Sequence, residues 1–249
     1  MKNLKILIIL LSLFAINGYA QNATEIVKKA DQKMRGQSSY AEMSMTIIRP
    51  DWTREVSMKT WALGTEYSLI LITGPARDQG VAYLKRGNEI WNWQPTIDRV
   101  VKLPSSMMGQ SWMGSDFTND DLVQESSIVT DYNHKMMGDS SIENIPVHKI
   151  ELIPKPNAAV VWGKAILYIS KDNYFQMLTK FYDEDMELVN TMRGSDIQQF
   201  DNRKIPAKLT VIPADEDDQK TVLTYQSMQF NIEIQPSFFS IQKMKSLKP

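Results

Sequence analysis

YAEMSMTIIRPDWTREVSMKTWALGTEYSLILIT, residues 40–73, predicts three β-strands in succession. Apolar and polar side chains alternate from Ala41 to Ile47, which is the period of a strand with one buried face. A second alternating run follows, and Gly64 with Thr65 predicts a hairpin turn into the third strand. The segment therefore indicates antiparallel strands that are joined by short turns.

The sequence on either side of this segment supports a mainly β fold. Upstream, Asn22 and Glu25 have the spacing of a capping box, in a helix that is predicted to end at Gly36. Downstream, strand-like runs recur as far as Phe230 without alternating with long helices, which argues against a parallel sheet. We therefore expect one antiparallel sheet of roughly ten strands, strongly curved, with helices packed on its concave face.

The third strand carries apolar side chains on both of its faces. Leu69 and Leu71 point one way, and Ile70 and Ile72 point the other way. Two interpretations stay open. A helix covers one face while a neighbouring element covers the other, or the concave face of the sheet lines an apolar cavity.

Residues 1–20 have the three parts of a secretory signal peptide. Lys2 and Lys5 precede an apolar run, and Gly18 and Ala20 are small residues of the kind that a signal peptidase recognises. The run is shorter than the roughly 20 residues of a membrane-spanning helix, and an uncleaved anchor is the alternative interpretation. No Cys follows the run, so we do not expect a lipoprotein.

The remaining residues, 21–249, are expected to form a single domain. The chain has no Cys, so its stability has to come from packing and from pairing between strands. Its 28 Lys and Arg residues face 29 Asp and Glu residues, a balance that argues against a nucleic-acid-binding protein. Two His and no Cys also argue against a zinc site.

The sequence contains no motif for covalent catalysis or cofactor binding. It lacks the G-x-S-x-G elbow of hydrolases and the glycine-rich loops that hold phosphates. The acidic stretch SDFTNDDL, residues 115–122, does not match a calcium loop. Either Asp116 or Asp121 serves a hydrolase, or the acidic residues begin a short helix that Thr118 or Asn119 caps. We predict the second, and with it no enzymatic activity, no metal and no cofactor.

A second segment, WNWQPTIDRVVKLPSSMMGQSWMGSDFTNDDL at residues 91–122, concentrates large apolar side chains among Gly, Ser and Asp. Here the sequence resembles the outer-membrane lipoprotein-sorting proteins of the LolA-like superfamily. The features that carry the resemblance are Trp93–Pro95, the pair Asp98 and Arg99, WMGSDFTNDDL at 112–122, the opening ATEIVKKADQKMRGQSSYAEMSMTI at 23–47 and the ending QPSFFSIQKMKSL at 235–247.

The resemblance implies an incomplete, half-open antiparallel β-barrel that helices close on one side. Such proteins hold an apolar chamber between sheet and helices, and it shields the acyl chains of a lipid or lipoprotein from water. The implied function is a periplasmic carrier or chaperone that transfers this cargo toward the outer membrane. Its implied partners are an inner-membrane exporter and an outer-membrane acceptor. The alternative is a non-catalytic accessory subunit of an exporter that binds no lipid of its own.

The candidate site residues are flexible Met and large aromatic side chains, which adapt to apolar ligands but also serve as ordinary core. In the carriers that this sequence resembles, a strand Arg holds the lid shut by hydrogen bonds to helix carbonyls. Arg49, Arg54 and Arg99 are the candidates for that role, although Arg99 beside Asp98 is also explained as a turn pair. The candidate ligand-binding residues are Met43, Met45, Met58, Trp91, Trp93, Met108, Trp112, Met113 and Phe117.

Overall fold

The computed structural model describes residues 23–123, 127–216 and 218–249. The predicted signal peptide, residues 1–20, lies outside this part of the chain. Three helices are present in the described residues, and none of them has the length and apolar character that crossing a membrane requires. They are α1 (residues 23–35), α2 (Asn119–Val123) and α3 (Ile241–Ser246).

Thirteen strands form one antiparallel sheet, so the prediction of a mainly β protein is confirmed. The prediction of roughly ten strands was too low. In the described residues the strands are β1 (Ser38–Ile48), β2 (Thr53–Leu63), β3 (Tyr67–Gly74), β4 (Ala82–Arg86), β5 (Glu89–Gln94), β6 (Arg99–Leu103), β7 (Tyr132–Ile142), β8 (Ile145–Pro154), β9 (Lys164–Ser170), β10 (Gln176–Tyr182), β11 (Leu188–Phe200), β12 (Arg203–Pro213) and β13 (Lys220–Phe230).

The order of the strands leaves the sheet open. The chain starts in the middle of the sheet at β1 and runs outward strand by strand to β6 at one edge. It then crosses to β7 at the opposite edge and returns strand by strand to β13, which pairs with β1. Among the described strands β6 and β7 do not pair with each other, so the sheet does not close into a barrel. This is the half-open antiparallel arrangement that the family resemblance implied.

Helix α1 covers one face of the sheet, which we call the inner face. Ile26 and Val27 of α1 are buried in one cluster with inward side chains of β8 and β9, among them Leu152 and Leu167. The helix ends where the sequence predicted, because Gly36 adopts a positive φ of 68° and its N–H bonds to a carbonyl of the last turn. The helix thereby faces the strands of the C-terminal half of the sheet.

Strand β3 is buried on both faces, and a different cluster covers each of them. Ile70 and Ile72 belong to the core cluster of the inner face. Leu69 and Leu71 pack on the opposite, outer face against the C-terminal segment, residues 236–249, which includes α3. The sequence analysis did not identify α3, a helix of six residues. The C-terminal segment thus covers the outer face of β3.

Candidate functional site

A cavity of about 280 Å³ lies between the inner face, α1 and the segment that leads into α2. This volume is close to the lower end of the roughly 300–1,000 Å³ that is usual for small-molecule sites. Most of the side chains around it are apolar. The apolar lining includes Met34, Ala41, Met43, Ile70, Phe117, Leu122, Ile128, Leu152, Ala165, Leu167, Phe181, Met192, Leu209, Leu223 and Met228.

The alternation of side chains along neighbouring strands makes the cavity wall continuous. Thr60 of β2 lies opposite Ile70 of β3, and both line the cavity. On the other side of β1, Leu223 of β13 lies opposite Leu209 of β12, and both line it as well. Because directly opposed residues of antiparallel strands share a face, the wall extends across the middle of the sheet.

The covering segment, residues 104–122, lies over the inner face beside the cavity. Trp112 is completely buried, and its ring centroid lies 5.5 Å from that of Tyr83 on β4. The backbone N–H of Trp112 donates to the carbonyl of Phe117 at 2.8 Å, so the segment folds back on itself. Met108 and Phe117 are buried in the same core cluster. The large apolar side chains of the covering segment are therefore part of the hydrophobic core, although its Gly and Ser residues are typical of a loop.

Two arginines at the ends of strands hold the covering segment in place. Arg49 forms a bidentate ion pair with Asp116, with N···O distances of 2.9 and 3.1 Å, and it also donates to the carbonyl of Gly114. Arg54 donates to the carbonyl of Met113 at 3.1 Å and pairs with a carboxylate between β3 and β4. Paired N–H···O bonds of this kind fix orientation as well as position. Both arginines were candidates for a gating role.

The third candidate, Arg99, makes no hydrogen bond to the covering segment within the described chain, whereas Arg203 contacts α1. Arg203 donates to the carbonyl of Gln32, near the end of α1, at 2.8 Å, and its guanidinium lies 4.4 Å from the ring centroid of Phe230. The sequence analysis missed Arg203, because nothing in its neighbourhood distinguishes it from other strand arginines.

The cavity lining also contains charged side chains. Asp31 and Arg35 of α1 form an ion pair at 3.0 Å, and Asp120 and Asp121 line the cavity as well. Thr118 and Asp121 exchange hydrogen bonds in a reciprocal cap of α2, with distances of 2.8 and 3.1 Å, as the capping interpretation predicted. Burial raises the pKa of Asp121 to about 6, and the bonds from Thr118 oppose that shift.

The hydrolase interpretation assigned catalysis to Asp116 or Asp121. Asp116 accepts hydrogen bonds from Arg49 and from the hydroxyl of Thr221, at 2.7 Å in the latter case. Asp121 accepts the backbone N–H of Thr118 in the reciprocal cap of α2. Both carboxylates therefore have structural partners. In the described part of the chain, no group of three or more His, Asp or Glu residues is arranged to hold a metal ion.

The structure brings together some of the candidate ligand-binding residues. Met43 and Phe117 line the cavity. Met113 is partly buried against the core cluster that contains them. Four further candidates are buried in that cluster without lining the cavity: Met45, Met58, Met108 and Trp112.

Trp91 and Trp93 do not lie at the cavity, which corrects their assignment as chamber or mouth residues. They alternate along β5 with Ile90, which is buried in the core cluster of the inner face, so they point to the outer face. There they contact the cluster that contains Phe239 of the C-terminal segment. The alternation showed that both Trp share one face, but not which face the cavity occupies.

Solved structures of other proteins share the fold, among them the following three. A DUF1329 family protein from Desulfovibrio piger is 22% identical, with 91% of this chain and 99% of that chain covered at a TM-score of 0.82. A domain assigned to outer-membrane lipoprotein sorting, from Vibrio parahaemolyticus, is 20% identical. The match covers 91% of this chain and 99% of that chain, with a TM-score of 0.80. A LolA superfamily protein from Nitrosomonas europaea is 22% identical. The match covers 88% of this chain and 98% of that chain, with a TM-score of 0.77.

A family model described as "Uncharacterized protein" matches residues 64–246. A comparison with curated proteins finds no match. The three structural matches are all below 25% identity and establish the fold. The chain therefore belongs to the family that the matching model describes, and its fold is that of the LolA-like lipoprotein-sorting proteins.

Proposed function

We propose that this protein is a periplasmic carrier that binds acyl chains of a lipid or lipoprotein in the inner cavity and transfers them toward the outer membrane. The observation that carries the proposal is the apolar cavity between sheet, α1 and covering segment. Each CH₂ group that leaves water contributes about 0.8 kcal/mol. Ten buried CH₂ groups would contribute roughly 8 kcal/mol before the entropy cost of binding.

The composition of the lining supports a cargo of variable shape. Four methionines line the cavity: Met34 from α1 and three on the strands of the sheet, Met43, Met192 and Met228. Met is unbranched and has several rotatable bonds, so such a wall adjusts to chains that differ in length or unsaturation. The cavity can thereby enlarge around a ligand without breaking hydrogen bonds in the sheet.

The cavity also favours one of the two functions that the sequence left open. An exporter subunit without cargo of its own needs no apolar space inside the sheet, and its core would be filled by side chains. The Vibrio parahaemolyticus structure with the same fold is a domain assigned to lipoprotein sorting. Both points favour the carrier over the accessory subunit.

Titration with a fluorescent long-chain fatty acid tests the proposed function. We expect saturable binding with one molecule per chain and a Kd of about 1 µM or below, which corresponds to about −8 kcal/mol. An unlabelled long-chain fatty acid should displace the probe, and an acid of four carbons should not, because it removes too little apolar surface from water. A flat titration at micromolar protein would contradict the proposal.

We also propose that Arg49 and Arg54 keep the covering segment closed over bound cargo. Their hydrogen bonds end on Asp116 and on the carbonyls of Met113 and Gly114, so the two arginines hold the middle of the covering segment, residues 113–116. Opening the segment has to break these charged contacts, which are stronger than neutral hydrogen bonds. The two arginines then set the rate at which cargo leaves.

Replacement of Arg49 by Met tests this gate. We expect the dissociation rate of the fluorescent fatty acid to rise at least about tenfold, the change that a barrier lower by 1.4 kcal/mol produces. Arg99→Met is the matched control, because Arg99 has no hydrogen bond to the covering segment among the described residues, and its rate should stay at the wild-type value. Stopped-flow displacement gives both rates. Equal rates for the two variants would exclude Arg49 as part of the gate.

A further inference from the structure

The outer face carries a surface in which lysines lie over aromatic rings. We call it the outer surface, and it consists of the outward side chains of β2, β5 and β6 together with the C-terminal segment. Such contacts attract the ammonium group to the ring and keep the aliphatic stem on apolar surface. Lys102 lies 5.9 Å from the ring centroid of Trp91, Lys245 lies 4.5 Å from that of Trp93, and Lys243 lies 5.2 Å from that of Phe238.

The same surface has an excess of positive charge. The C-terminal segment contains three Lys and no Asp or Glu, in a chain whose formal net charge is −1. Lys245 pairs with Asp98 and Lys102 pairs with Glu89. Within the part of the chain that the structure describes, Lys243 and Lys248 form no ion pair. Two further carboxylates point to the same face, Glu55 of β2, which alternates with the inward Val56, and Glu42 of β1, which accepts a hydrogen bond from Tyr40. The five lysines Lys59, Lys102, Lys243, Lys245 and Lys248 still outnumber the four carboxylates of Glu42, Glu55, Glu89 and Asp98, so the outer surface keeps an excess of positive charge.

A groove of about 410 Å³ continues this surface across β2 and β1. Lys59 and Lys248 both line it, together with Tyr40 and Trp61, whose ring centroids lie 5.3 Å apart. Trp61 also contacts Phe238 of the C-terminal segment, at 5.7 Å between centroids. The lysines and aromatic rings thus form one continuous band from β6 to β1.

Two large apolar side chains project from the same region. Ile97 is 64% exposed and Ile241 is 41% exposed. Ile241 lies one helical turn before Lys245, and the partner of Lys245 is Asp98, the residue after Ile97. Both isoleucines therefore lie beside the cations and are exposed.

We propose that the outer surface docks on a membrane that contains anionic phospholipids. A surface that binds at the membrane interface has three features: aromatic rings at the level of the headgroups, basic side chains toward the phosphates, and apolar side chains that reach the acyl boundary. An acidic protein would use the charges, but it would leave the two exposed isoleucines unexplained. The inference goes beyond the proposed carrier, because it concerns the opposite face of the sheet and requires no cargo in the cavity.

Vesicle flotation tests the proposal with the whole protein and two lipid mixtures. We expect binding to phosphatidylcholine vesicles that contain about one-third phosphatidylglycerol, and at least tenfold weaker binding to pure phosphatidylcholine. Binding should fall in about 1 M salt, where the Debye length is about 3 Å. The double variant Lys243→Gln, Lys248→Gln should lose about tenfold or more of the binding to the anionic vesicles, since each basic residue near the membrane adds to it.

The variant Lys135→Gln, Lys155→Gln is the matched control. It changes the net charge equally at two exposed positions on β7 and the loop after β8, away from the outer surface. It should bind the anionic vesicles as the wild type does. Equal losses in both double variants, equal binding to both lipid mixtures, or no vesicle binding at all would overturn the proposal, and an acidic protein would then be the partner to seek. Titration of the same variants with the fluorescent fatty acid tests the proposed carrier separately, because the cavity lies on the opposite face of the sheet.

Discussion

Replacement of Trp112 by Ala is expected to lower the free energy of unfolding by about 3–5 kcal/mol, the range for deleting a large buried aromatic side chain. Trp112 has no exposed surface, and its ring packs on Tyr83 of β4. The change would leave a cavity at the point where the covering segment enters the core. Urea denaturation followed by circular dichroism measures the loss.

Trp52→Ala provides the control for this prediction. Trp52 is 49% exposed, and the guanidinium of Arg49 lies 5.8 Å from its ring centroid. Its removal should cost about 1 kcal/mol or less, the value of an exposed cation–π contact. If Trp112→Ala were as mild as Trp52→Ala, the covering segment would not be part of the core, and the account of the site given above would fail.

The second large effect is expected when Ala62 is replaced by Trp. Ala62 of β2 lines the cavity and is only half-buried, so the larger side chain has room to enter the open space. Because the indole then occupies volume that the acyl chain needs, we expect the affinity for the fluorescent fatty acid to fall at least about tenfold, or 1.4 kcal/mol. Ala62→Leu should give a smaller loss in the same direction, and it serves if the Trp variant folds poorly.

Ala159→Trp is the matched control, since Ala159 is exposed in the loop before β9. Its affinity should equal that of the wild type. Fluorescence titration measures all three variants, and thermal melting shows whether each is folded. Unchanged affinity in a folded Ala62→Trp protein would mean that the fatty acid binds elsewhere.

The sequence predicted local structure well where one face of a strand is buried. The alternation from Ala41 to Ile47 became β1, with Met43 and Met45 on the inner face. Strand β6 was not predicted, because it is short, lies at the edge of the sheet and has mostly exposed or half-buried side chains. No alternation between buried and exposed positions marks such a strand.

Contacts between distant parts of the chain could not be predicted in the same way. The ion pair of Arg49 with Asp116 joins residues that are 67 positions apart, and the pairing of β1 with β13 is more distant still. The outward direction of Trp91 and Trp93 depends on the C-terminal segment, which covers that face of β5. Periodicity identifies which residues share a face, and only the tertiary fold identifies what covers it.

The location of a bound acyl chain is measured by co-crystallising the protein with a fatty acid that carries bromine at its end and locating the bromine by anomalous scattering. We predict a bromine peak inside the cavity, near Ile70 and Leu167 and within contact distance of their side chains. A peak only in the groove beside Trp61 on the outer face, or a cavity that the surrounding side chains fill in the presence of ligand, would contradict the carrier function.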